Sequence, residues 1–290
     1  WKLLEIYELP IGSSDLSLTT DARTILLNRE TRLPFLGGDI IIHRFDWQGR
    51  QGEEPKVHFQ GDIQQVSLER LTAALDTTPL SGSVTGQIPG VTYQDGELQL
   101  DGELRFRMFD GEVIVHNLVS SGLFGDLPQL YGEVEIDGLD LNLITQKFEF
   151  GKIQGQLSGY IRNLYLENWE PITFYAWLGT PEDDDSRHLI SQKAVENIAS
   201  IGGGGAANLV SRSFLRFFDN FGYDRLGIGC YLHKGVCQLM GMQPAPEGYY
   251  IVKGGGLPRI DVIGYNSRID WNVLLRRLKR VSSSDNAVVE

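Results

Sequence analysis

The stretch GELQLDGELRFRM, Gly96 to Met108, decides how the chain is read. Leu98, Leu100, Leu104, Phe106 and Met108 share one parity, while Glu97, Gln99, Asp101, Glu103, Arg105 and Arg107 take the other. Only Gly102 interrupts the apolar side. Successive side chains of a strand point to opposite faces, so this period of two predicts a ribbon with one oily and one ionic face. The triplet Gly-Glu-aliphatic recurs at Gly96, Gly102, Gly111 and Gly132. It predicts serial short strands punctuated by glycine bends or bulges.

Working outward, strands are expected at Leu16 to Leu18, Ile40 to Trp47, Val57 to Ile63, Val134 to Ile136, Leu139 to Leu143, Phe148 to Leu157, Leu164 to Leu166 and Phe174 to Leu178. VSLERLTAALD, Val66 to Asp76, reads as a short helical turn capping one end. Almost no long helix intervenes, which disfavours a βαβ architecture. The expected fold is mainly β. An extended, meander-like antiparallel sheet is expected over residues 1–178. An acidic loop and two amphipathic helices follow over 179–222, β-hairpins over 223–264, and a terminal helix with a tail over 265–290.

With 290 residues and 41% hydrophobic content, the chain can bury a sizeable core. A formal net charge of −12 without a basic domain or stripe argues against nucleic acid as a partner. The start, WKLLEIYELP, has no apolar run followed by a small-residue cleavage site, and no apolar run in the chain is long enough to span a bilayer. It begins in mid-pattern without Met, as expected of a fragment whose export signal or anchor lies elsewhere.

Gly202, Gly204 and Ala207 fit a G-x-G-x-x-A spacing, but a dinucleotide loop needs a strand before it. The preceding DSRHLISQKAVENIASI instead reads as a helix, with Ser186 as N-cap and Ile190, Ala194, Ile198 and Ile201 along one stripe. Four consecutive glycines should end it. A second helix is expected to present Val210, Phe214, Phe217, Phe218 and Phe221 on one face, as a cap or gate over the open end of the sheet. His43, His58, His116, His188 and His233 show no metal-ligand spacing, and no serine-nucleophile elbow or P-loop occurs. Glu182 to Asp185 reads as a solvated acidic loop rather than a calcium loop. No catalytic residue, metal or cofactor is expected.

Cys230 and Cys237 flank a turn at His233-Lys234-Gly235, and a four-residue loop would set them directly across a hairpin, close enough for a disulfide. The alternative is a pair of reduced, half-buried cysteines. In WNVLLRRLKR, Leu274, Leu275 and Leu278 form an apolar stripe amid Arg276, Arg277, Lys279 and Arg280.

The ordered series LSGSVTGQIPGVTYQDGELQLDG, MFDGEVIVHNL, LDLNLITQKFEFGKIQGQLSGYIRNLYLENWEPITFYAWL, ISQKAVENIASIGGGG, RFFDNFGYDRLGIGCYLHKGVCQLMG and GYYIVKGGGLPRIDVIG resembles the C-terminal part of the YdbH family. That family belongs to the AsmA-like group, with TamB and YhdP. The resemblance covers about Leu80 to Arg280 and implies a periplasmic protein anchored in the inner membrane of a Gram-negative cell. It implies an extended antiparallel β-sheet curved into an open apolar groove that conducts phospholipids towards the outer membrane, and a small outer-membrane lipoprotein partner of the YnbE type. On that reading Leu98, Leu100, Leu104, Phe106, Met108, Val113, Val115, Val134, Ile136, Leu139 and Leu141 line the groove. Two other classes stay open: a structural or adhesive β-repeat, which shows the same alternation with its apolar faces closed on each other, and a carbohydrate-active enzyme, which needs two carboxylates converging in a cleft with aromatic walls.

Overall fold

A computed structural model describes residues 4–6, 9–49, 54–74, 82–123, 127–203 and 218–282. The chain is mainly β, with antiparallel strands throughout. It divides into two compact units. One is Trp1–Glu135 with Leu164–Pro171; the other is Ile136–Asn163 with Ile172–Glu290.

In the first unit lie β1 (Leu4–Ile6), β2 (Leu9–Ile11), β3 (Leu18–Thr20), β4 (Thr24–Leu27), β5 (Thr31–Phe35), β6 (Gly38–Gln48), β7 (Lys56–Ser67), helix α1 (Leu68–Ala74), β8 (Ser83–Gln94), β9 (Glu97–Leu100), β10 (Glu103–Met108) and β11 (Gly111–Ser121). β12 (Gln129–Asp140) begins there. The order is a meander: β6 pairs with β7, β7 with β8, β8 with both β9 and β10, and both of these with β11. β9 and β10 thus act as one interrupted strand. The break is at Gly102, whose φ of +109° is open to glycine and strained for other residues. Gly96 turns the chain likewise at φ +78°, whereas Gly132 lies within β12 and bends nothing.

The second unit holds α2 (Leu141–Lys147), β13 (Ile153–Gln154), most of β14 (Gln156–Glu167) and β15 (Glu170–Gly179), β16 (Leu189–Ser191), α3 (Gln192–Ile201), β17 (Asn220–His233), β18 (Val236–Gly241), β19 (Gln243–Ala245), β20 (Gly248–Gly254), β21 (Val262–Gly264), β22 (Arg268–Asp270) and α4 (Trp271–Ser282). Its core is sealed: Ile190, Val195, Leu232, Val252 and Val262 are all 0% exposed. Burying each contributes about 1.5–3 kcal/mol.

Several expectations are corrected. Leu16 is exposed ahead of β3, and Val66 and Ser67 finish β7 before α1 starts. Of the expected strand Leu139 to Leu143 only Leu139 and Asp140 are extended, as the end of β12: Asp140 accepts hydrogen bonds from the N–H groups of Asn142 (2.6 Å) and Leu143 (3.0 Å), and this cap starts α2. Phe148 to Leu157 is not one strand either, because Phe148 ends α2 and Gly151 and Gly155 turn the chain at φ +99° and +132°. The helix begins at Gln192, capped by Ser191 rather than Ser186, so Ile190 belongs to β16. Gly202 does end that helix. Of the second expected helix, Val210, Phe214 and Phe217 lie outside the described residues. Phe218 is exposed and non-helical, and Phe221, 1% exposed, belongs to β17, where β-sheet pairing with Ile190 overrides the helical period.

Cys230 and Cys237 form a disulfide, with Cα atoms 5.6 Å apart. The hairpin is tighter than expected: His233 pairs with Val236 around Lys234-Gly235, so Cys237 faces Leu232 and the bond runs diagonally to Cys230. Such a bond suits an oxidising, extracytoplasmic compartment. Loop-closure entropy for so short a loop is worth about 2–3 kcal/mol. Replacing both cysteines by Ala should therefore lower the urea midpoint correspondingly, and an unchanged midpoint would show that the bond is absent.

Candidate functional site

The strand registers align the apolar positions of the first unit into rows crossing the sheet. One row runs Ile25, Trp47, Val57, Tyr93, Leu98. The next is Phe45, Phe59, Val91, Leu100. A further row runs Leu33, Ile40, Ile63, Gly86, Phe106, Val113, and Leu104 sits opposite Val115. Residues opposite each other in an antiparallel pair share a face, so these rows make one apolar surface. Bulges at Ile42/Arg44, Phe59/Gly61 and Ile63/Val66 let the alternation restart with the same face oily, and bulges bend the strands that carry them.

Exposure separates this surface from a core. Leu98, Leu104, Phe106, Met108, Val113 and Val115 are half-buried, and so are Trp47, Val57, Phe59, Val91 and Tyr93; only Leu100 among the expected groove residues of these strands is fully buried. The first unit's described helix, α1, leans on β7 and does not seal the face. Val134, on β12, is also half-buried. Ile136, Leu139 and Leu141 belong to the second unit, where Leu139 and Leu141 are buried around the start of α2; Leu141 is helical and is not a strand residue of an apolar face.

The opposite face is ionic. Arg105 donates to Glu103 (2.7 Å) and Glu112 (3.0 Å). His43 lies between Glu30 (2.7 Å) and Asp62 (2.9 Å), and hydrogen bonding to Asp62, then to Glu30, raises its pKa above the ordinary histidine value. That contribution is complete below pH about 6.5 and fades as pH rises through the folded-state pKa. His116 likewise lies between Glu103 and Glu135. Two shallow concavities open here. One, about 300 Å³, is lined by Arg44, Asp46, Lys56 and His58; the other, about 270 Å³, is lined by Asp62, Arg105, Arg107 and Glu112. Neither sets a carboxylate pair against an aromatic wall.

One polar cluster in the second unit went unread in the sequence. Asp184, within the acidic loop, has a fully buried side chain that accepts from the N–H groups of Gln156 (2.8 Å) and Ser186 (2.9 Å) and from His188 Nε2 (2.8 Å). His188 stacks on Tyr223, whose hydroxyl donates to Gln154 O (2.6 Å) and whose pKa is pushed up by burial. The available signal was an Asp followed at two and four residues by Ser and His, the spacing of a side chain bonding its own backbone two residues on.

Among the described residues no group of His, Cys, Asp or Glu is arranged to hold a metal ion, and no helix is long and apolar enough to cross a membrane. Comparison of the chain with protein-family models, curated proteins and solved structures finds no match to any of them.

Proposed function

We propose that this chain is a segment of a lipid-conducting bridge, in which the apolar face of the first unit carries phospholipid acyl chains between the inner and outer membranes of a Gram-negative envelope. The observation that carries the reading is that the multi-strand apolar face of the first unit is only half-buried, whereas the second unit's core is fully sealed. The same chain closes one core and leaves the other apolar surface open. A structural β-repeat with closed faces would bury both.

The physics of transfer fits such a surface. An acyl chain of about fifteen methylenes crossing water unprotected meets a cost of about 12 kcal/mol, at about 0.8 kcal/mol per CH₂. A continuous oily track removes most of it. Bulged strands curve the sheet around the lipid tail, and the ionic outer face keeps the segment in water. The disulfide accords with the periplasm. The full-length protein is then anchored in the inner membrane, with a small YnbE-type lipoprotein as its outer-membrane partner, both drawn from the resemblance to the YdbH family.

Native mass spectrometry of the chain purified from a Gram-negative periplasm tests the reading. The expected spectrum shows phospholipid adducts that survive mild activation. A bare chain after gentle purification, which also takes up no phospholipid from added micelles, would overturn it.

A further inference from the structure

We propose that the tip of the β14–β15 hairpin docks a basic peptide segment of a partner protein, with an arginine or lysine stacked on the indole of Trp169 and neighbouring cations paired with Glu167 and Glu170. This does not rest on the transport reading and concerns a different surface.

The tip, which belongs to the first unit, breaks two local rules. The chain reverses over Asn168 and Trp169 alone, and both have positive φ, +50° and +63°. Such a turn is ordinarily filled by Asn-Gly, because glycine has no Cβ to clash; a bulky ring in the second place is strained. Packing does not require it, since Trp169 is 59% exposed. The turn also sets Glu167 and Glu170 side by side as its flanking pair, and like charges so placed destabilise a hairpin. Neither has an ion-pair partner among the described residues.

The surroundings hold these groups in place. The Asn168 N–H donates to Pro128 O (2.8 Å), which fixes the tip against the turn that carries Leu127. Tyr165 donates to Glu167 (2.7 Å) and stacks on Tyr131, with ring centroids 4.4 Å apart. Leu127 and Tyr131 are 52% and 48% exposed.

This chemistry selects a cation. The face of an indole attracts ammonium and guanidinium groups, and so do two carboxylates without a counter-ion. The net charge of −12 adds attraction at longer range. A nucleic acid or an anionic membrane surface would be repelled by the same glutamates. Exposed Leu127 offers an apolar contact, which a peptide uses and an inorganic cation does not.

Fluorescence anisotropy with a labelled synthetic peptide of alternating arginine and leucine tests it. The peptide should bind the chain at about 0.1 M salt, and its glutamate–leucine counterpart should not. Trp169→Gly, which restores the Asn-Gly turn, should weaken binding at least about fivefold. Glu167→Gln with Glu170→Gln should weaken it at least about threefold. Asp183→Asn with Asp185→Asn removes the same charge from an exposed loop elsewhere and should leave binding within experimental error. Failure of the arginine peptide to bind overturns the proposal, as does binding that Trp169→Gly leaves unchanged. Equal weakening by the two double variants also overturns it, because the peptide would then sense only the acidity of the chain. So does flotation of the parent on phosphatidylcholine vesicles that Trp169→Gly abolishes, which would make the indole a bilayer anchor. Should Trp169→Gly fail to fold by circular dichroism, Trp169→Leu, apolar but without a ring, decides by the same comparison.

Discussion

Phe106→Asp should reduce phospholipid retention by at least about tenfold, while Arg105→Gln, one residue away, leaves it within experimental error. Phe106 faces Val113 on one side and Gly86 on the other, in the longest apolar row. Burying even a neutral polar group without a partner costs about 1–3 kcal/mol, and a carboxylate against acyl chains costs more. Arg105 points to the ionic face and holds two glutamates at an exposed site, where solvent screens such pairs and they add little. Gln is the fitting control, because Asp there would set a third carboxylate between Glu103 and Glu112. Phe106→Leu keeps the face apolar and should keep the lipid. Lipid per chain, counted by native mass spectrometry alongside the melting temperature, separates lost binding from lost folding. Equal retention in Phe106→Asp and Arg105→Gln would mean that the apolar face carries no lipid.

The alternation that places Phe106 was readable because a strand repeats every two residues whatever its neighbours do. Glu97 to Met108 holds its parity across Gly102, and the registers with β8 and β11 keep Leu98, Leu100, Leu104 and Phe106 on one side. Periodicity is a weaker guide where a single side chain can redirect the backbone. Leu139, Leu141 and Leu143 alternate as a strand would, yet Asp140 caps a helix there. Phe217, Phe218 and Phe221 suit a helix stripe, yet Phe221 sits deep in β17, facing Ile190 across the ladder. Those outcomes depend on partners distant in the chain, and no local pattern encodes them. The openness of the apolar face was legible only as an expectation, since alternation describes a covered sheet equally well.

The acidic loop shows the same limit in its charges, and it sets the largest expected loss of stability. Glu182, Asp183, Asp184 and Asp185 look alike in sequence, but Asp184 alone has a fully buried side chain joining Gln156, Ser186 and His188. Asp184→Ala leaves those donors facing a void and should cost about 3–5 kcal/mol at pH 7, whereas Asp183→Ala and Asp185→Ala, both exposed, should stay within about 0.5 kcal/mol. The pH dependence identifies the charge. Burial pushes the Asp184 carboxyl up, but hydrogen bonds from Ser186, Gln156 and His188 outweigh it and hold the pKa at about 2, below the ordinary 3.8. A depressed carboxyl stabilises the fold above its unfolded-state pKa and loses that contribution as pH falls through its folded-state pKa. The gap between parent and Asp184→Ala should therefore be constant above pH about 5 and shrink by about 2 kcal/mol on approaching pH about 2. Taking the difference between the two proteins in urea titrations cancels the other carboxylates. A gap that does not change with pH would mean that Asp184 works by filling space; a gap that widens on acidification would reverse the sign and refute the charged network.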